Sequence, residues 1–164
     1  PARRPLGPGS ARPRSRAAGM TSLVDVTVLL GAAEPTWPGH AACRALLESL
    51  RERPEPWYLS WQILYELYGY GTDSRVLEKP WRTDVIHSYV QSLQRSRSLC
   101  MLVETPQHAK IVQDVLKRVP GVRGELFQHL HVAALMREHG VERIYTTDPR
   151  FGWFPFLDVV NPLH

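Results

Sequence analysis

The chain has 164 residues, enough for one domain with a buried core and too few for two of ordinary size. Its 43% hydrophobic and 22% charged residues exclude a fibrous or wholly disordered protein. The formal charge is +4, but residues 1–19 hold five arginines and no acid, which leaves −1 for the remainder, so bulk charge carries no argument for nucleic-acid binding.

Cys43 and Cys100 are distant in sequence and sit among apolar neighbours, which predicts two buried reduced thiols rather than a disulfide or a zinc site. No apolar run approaches the roughly 20 residues that span a bilayer, and no secretion signal is recognisable, so the expected location is cytoplasmic, with no membrane partner. Residues 1–19, rich in Pro, Gly, Ser, Ala and Arg, lack the apolar area to offset their own ordering and are expected to be a disordered tail. A nucleic-acid arm and a transit segment are alternatives, but Met20 immediately before a strand-like run favours a start assigned too early or appended sequence. The expected domain is residues 20–164.

In chain order, the β-branched and apolar run Ser22–Leu30 reads as a buried parallel strand carrying Asp25 and Thr27 on one face. His40–Arg53 has helical spacing and stops before Pro54. Trp57–Leu59 reads as a short strand, and Ser60 as the N-cap of a helix that carries Glu66 and ends at Gly69 and Gly71. Pro80 is placed to open the next helix, with Val85, Ile86, Tyr89, Val90 and Leu93 as its inner stripe. A strand over Leu99–Val103 follows, then a helix from Pro106 to about Val119, a helix over Glu125–His139 closed by Gly140, and a strand over Arg143–Thr147 that runs into Asp148. Leu157–Val160 is the last strand. Strands alternating with helices imply a parallel sheet with helices on both faces, whose ligand sites lie beyond the carboxyl ends of the strands.

An aspartate inside an apolar strand loses hydration worth several kcal/mol unless donors or a cation replace it. Asp25 could therefore cap a helix, pair with an arginine or bind a metal. Asp148 ends a second strand on the same rim, where two carboxylates repel unless a cation lies between them. Glu66 by itself is equally consistent with the solvent face of an amphipathic helix. No Walker loop, dinucleotide-binding glycine turn or Ser/His/Asp order is present.

The runs LVDVTVLL, YELYG, HLHVAALMREHGV and RIYTTDPRFGWFPFLDVVNPL, in that order and spacing from Met20 to Leu163, resemble the PIN-domain ribonucleases and in particular toxins of the VapC type. The resemblance implies a three-layer α/β/α fold with a central parallel sheet of four to five strands. It also implies a Mg²⁺ or Mn²⁺ site in which Asp25, Glu66 and Asp148 match three family acids. Where the family has an aspartate opening the late helix, this chain has His129. Imidazole suits Mn²⁺ better than Mg²⁺, so the substitution shifts the expected metal toward Mn²⁺ or leaves the site degenerate.

Glu125, one helical turn before His129, is either a replacement ligand or a glutamate favoured by the helix dipole. His131 faces away from His129 and is expected to be a packing or surface residue. Thr27 and Thr147, or Thr146, are placed to hydrogen-bond the ligating carboxylates. Arg143, Arg150, Phe151, Trp153 and Phe154 could contact RNA, although core packing is the simpler role for the aromatics. The resemblance further implies a homodimer, a cognate antitoxin and a structured RNA substrate such as tRNA or rRNA. The alternative is a PIN-like domain that binds RNA or a protein without cleaving.

Overall fold

The computed structural model describes residues 21–164; the expected tail, residues 1–19, lies outside them. Five strands, β1 (Ser22–Val24), β2 (Trp57–Ser60), β3 (Leu99–Leu102), β4 (Arg143–Tyr145) and β5 (Asp158–Val160), form one sheet in the order β3-β2-β1-β4-β5. All four pairings are parallel. Among the described residues six helices flank it: α1 (Val26–Ala33), α2 (His40–Glu52), α3 (Trp61–Gly71), α4 (Thr83–Gln94), α5 (His108–Arg118) and α6 (Leu126–Glu138). The expected α/β architecture with a four- to five-stranded parallel sheet is thus the observed one.

The order of strands matters more than their number. From β1 the chain steps outward to β2 and β3, then returns across the sheet to place β4 on the other side of β1. The reversal falls between β1 and β4, the point at which open parallel sheets leave a crevice at their carboxyl ends. Consistent with two helix groups, α1 packs on α2 and α3, α3 on α4, and α5 on α6.

The first strand is shorter than its composition suggests. Only Ser22–Val24 is extended, and Asp25 turns the chain into α1 by accepting a hydrogen bond from the Thr27 amide at 3.3 Å. Val26, Val28, Leu29 and Leu30 are buried on nearly every side of this short helix, so it shows the same unbroken apolar run as a buried strand. Asp25 is therefore a helix cap before it is anything else.

Other boundaries move less. Ser60 caps α3 as expected, its Oγ accepting from the Ile63 amide at 3.3 Å. Pro80 does not open α4; the helix begins at Thr83 behind Arg82, and of its expected stripe Val85 is half exposed, while Ile86, Val90 and Leu93 are buried. The α6 terminus is a Schellman motif, with Gly140 at φ 69°, its amide on the Arg137 carbonyl and the Val141 amide on that of Met136. That turn feeds α6 directly into β4. Cys43 is buried as expected, but Cys100 is exposed on β3, an edge strand of the sheet. The core runs from Trp57, Leu59 and Leu23 through Leu64, Leu67 and Ile86 to Leu135, Phe151 and Phe154.

Candidate active site

A cavity of about 370 Å³ opens at the β1/β4 switch point, and Asp25, Glu66, His129, Asp148, Thr27 and Glu125 all line it. Each reaches it from a different connection. Asp25 follows β1, Glu66 sits on α3 directly after β2, His129 is on α6, and Asp148 follows β4 and caps the 3₁₀ turn Pro149–Trp153.

Two threonine hydroxyls lace the ends of β1 and β4 together. Thr27 Oγ1 donates to Asp25 Oδ2 at 2.8 Å and accepts from the Thr147 amide at 3.0 Å. Thr146 Oγ1 donates to the same Oδ2 at 2.8 Å and accepts from the Asp148 amide at 2.9 Å. Thr146, fully buried, is thus the residue whose side chain supports the aspartate, whereas Thr147 contributes its backbone. The hydrogen bonds that Asp25 accepts from Thr27 and Thr146 converge on Oδ2, and its side chain lines the cavity.

Charge is unevenly distributed over the acids. Burial pushes the Asp25 carboxyl above its ordinary range, against the lowering effect of the Thr146 and Thr27 hydroxyls. Burial also raises Glu66, against its hydrogen bond from Gln62, and the nearby Asp25 charge adds to the rise. Asp148 behaves oppositely. Burial would raise it, but the Arg150 guanidinium and His129 outweigh that and hold its carboxyl at about 2. Arg150 reaches Asp148 Oδ2 at 2.6 Å and Glu125 Oε2 at 3.1 Å, and His129 Nε2 donates to Asp148 Oδ2 at 3.0 Å.

No three of Asp25, Glu66, His129 and Asp148 bring ligand atoms mutually within 4.8 Å. Asp148 already has its counter-charge, so the carboxylates of the cavity that could hold a cation are those of Asp25 and Glu66. These are hard oxygen donors, and they suit an ion that takes one or two carboxylates and keeps several waters. Glu125 is exposed and engaged with Arg150, and its carbonyl meets His129 Nδ1 at 3.3 Å. His129 is occupied at both nitrogens.

Of the residues considered for RNA contact, Phe151 and Phe154 are core, Trp153 is half exposed, and Arg143 pairs with Asp158 at 2.7 Å. Sequence reasoning missed Gln62, whose Nε2 donates to Glu66 Oε1 at 2.9 Å; its position four residues before Glu66 was the available signal. It also missed Tyr70, which lines the cavity, and the ion pair of Arg150 with Asp148, two residues away in a turn.

In sheet order and in its acid-lined rim the chain resembles the VapC-type toxins of the PIN-domain class, and it shares their fold. Ribonuclease VapC48 of Mycobacterium tuberculosis is 25% identical over 143 residues, spanning 87% of this chain and 98% of that protein. Among solved structures, VapBC2 from Rickettsia felis bound to a promoter DNA fragment superposes with a TM-score of 0.62 at 14% identity, over 87% of this chain and 98% of that one. FitAcB from Neisseria gonorrhoeae gives 0.60 at 22% identity, covering 87% and 99%. The sarcin-ricin-loop-cleaving toxin VapC20 of M. tuberculosis gives 0.59 at 16%, covering 80% and 92%. No protein-family model matches the chain.

Proposed function

We propose that this protein is a metal-dependent endoribonuclease, the toxin of a toxin–antitoxin pair, cleaving structured RNA such as tRNA or rRNA at the cavity between β1 and β4. The observation that carries the reading is the location of Asp25, Glu66 and Asp148 in one cavity at the topological switch point. Similarity to VapC48, a ribonuclease, supports it. The VapC20 likeness supports the RNA substrate class, and the VapBC2 and FitAcB likenesses support an antitoxin partner. The active form is a homodimer. Among the described residues no helix is long and apolar enough to cross a membrane.

A Mg²⁺ or Mn²⁺ ion bound here would supply an acidified water and a charge that stabilises the phosphoryl transition state. Asp25 and Glu66 would hold it, and the hydroxyls of Thr27 and Thr146 fix the Asp25 carboxylate through Oδ2. Gln62 holds Glu66 in the same way. Asp148 and His129 complete the rim, and Arg150, held between Asp148 and Glu125, offers a guanidinium to the scissile phosphate. Glu125 and Thr147 serve as positioning residues.

The non-cleaving alternative is favoured by one observation, that Arg150 and His129 already neutralise Asp148. Incubating the purified protein with total cellular RNA and Mg²⁺ or Mn²⁺, beside Asp25→Asn, decides between them. Discrete fragments that the variant does not produce are expected. Intact RNA with both metals refutes the nuclease.

A further inference from the structure

A second cluster lies outside this cavity, where β3 leads into α5 and α5 packs on α6. Glu104 follows β3, His108 opens α5, and His131 projects from α6, with one ligand atom from each mutually within 4.8 Å. Among the described residues this is the only such group. The His108 and His131 rings stand edge to face, their centroids 5.4 Å apart.

Both imidazoles are held from behind. The carboxylate of Glu138, only 3% exposed, accepts from His108 Nδ1 at 2.8 Å and from the Thr105 amide at 2.8 Å, and Thr105 Oγ1 adds a third bond. Gln62 donates its amide hydrogens to Glu66 at 2.9 Å and to the Gln128 carbonyl at 3.0 Å. Its Oε1 must therefore accept, and it accepts from His131 Nδ1. With Nδ1–H committed on both rings, Nε2 is the nitrogen of each that can turn to a metal. This is the arrangement in which a carboxylate or amide orients a metal-binding histidine. His131 Nε2 lies 2.7 Å from Glu104 Oε1, so a positive centre, proton or metal, is needed between them. The His131 and Glu104 side chains are 30% and 53% exposed, which leaves the position open to solvent.

We propose that Glu104, His108 and His131 form a second metal site, selective for a transition-metal ion of the Zn²⁺ class, with Glu138 and Gln62 as its positioning residues. Two imidazole nitrogens and one carboxylate oxygen are the donors such an ion prefers, and three protein ligands leave a fourth position for water. Mg²⁺, which avoids imidazole, does not compete. The site does not depend on the nuclease reading. Gln62 links it to the acidic cavity by bridging His131 and Glu66.

The test is titration of the full chain with Co²⁺, followed by displacement with Zn²⁺. One equivalent should give the intense visible absorption of low-coordinate Co²⁺, and Zn²⁺ should abolish it. His108→Gln, His131→Gln and the exposed-site variant Glu104→Gln should lose the spectrum, while Asp25→Asn retains it. Glu138→Gln keeps all three ligands and should weaken binding by about 10- to 100-fold. A spectrum unaffected by the three ligand substitutions, a spectrum lost in Asp25→Asn, or no low-coordinate spectrum in the parent chain overturns the site. Glu104 is half exposed, so Glu104→Gln carries the test where a histidine variant fails to fold.

Discussion

Replacing Thr146 by valine removes one hydroxyl from the base of the acidic cavity and keeps the side-chain shape. In the parent that hydroxyl donates to Asp25 Oδ2 at 2.8 Å and accepts from the Asp148 amide at 2.9 Å, and Thr146 is 1% exposed. A hydrogen bond to a charged group contributes about 1.5–3 kcal/mol, and a buried amide left without a partner costs about 1–3 kcal/mol. With part of this offset by the apolar methyl, the expected loss is about 3 kcal/mol at about pH 7. Only the Asp25 part titrates. The Asp25 carboxyl lies above its ordinary 3.8 in the fold, so its stabilising contribution is complete below 3.8 and is lost as pH rises through the folded value. Removing a donor that lowers this value pushes it higher and deepens the loss at neutral pH. Urea unfolding in the presence of a chelator should therefore show a deficit that shrinks to about 1–2 kcal/mol near pH 4. Thr146→Ser keeps the hydroxyl and should lose about 1 kcal/mol at both pH values. A valine deficit that is the same at both, or below about 0.5 kcal/mol, would refute the assignment of Thr146 as the Asp25 donor.

Arg150→Met removes the charge that holds the Asp148 carboxyl at about 2. Because that value is depressed, the stability it contributes is present above 3.8 and is lost as pH falls through about 2. The variant should be about 1–2 kcal/mol less stable at neutral pH, allowing for solvent screening of the 44% exposed Arg150, and should converge with the parent at the acid end of a denaturation series. Two glycines of α3 should respond in opposite directions. Gly69→Ala meets nothing within 4 Å and should gain about 0.5–1 kcal/mol, whereas the Gly71→Ala methyl falls 2.3 Å from Ile86 Cδ1 and 3.0 Å from the Trp81 ring and should cost about 1–3 kcal/mol. Thermal melts that ranked them the other way would contradict the packing of α3 on α4. Mg²⁺ at 100 times its dissociation constant should stabilise the fold by about 2.7 kcal/mol in the parent and not in Asp25→Asn, and equal melting shifts in the two would place Mg²⁺ elsewhere.

Apolar runs punctuated by Gly, Pro and capping residues were enough to read an alternating α/β chain, because those signals are local. Ser60 as a cap and Gly140 as a helix stop act within one turn of themselves. The same local reading extended the first strand through Leu30, since a short helix buried on most of its surface and a buried strand present the same apolar string. It also missed that Cys100 faces solvent, because exposure on an edge strand depends on which strand β3 lies beside.

Asp25, Glu66 and Asp148 were recognisable through resemblance, and the structure gathers them into one cavity. Their charge states were not legible. The elevation of Asp25 and Glu66 comes from burial among elements far apart in sequence, and the depression of Asp148 from a guanidinium that the chain folds back by two residues. His131 read as a packing or surface residue because its metal-site neighbours, Glu104 and His108, lie on other elements and meet it only when α5 packs on α6. Periodicity and capping are properties of a single segment and can be read along the chain. Which acids share a counter-charge and which histidines share an ion are properties of pairs of segments, decided by the return of the chain across the sheet after β3.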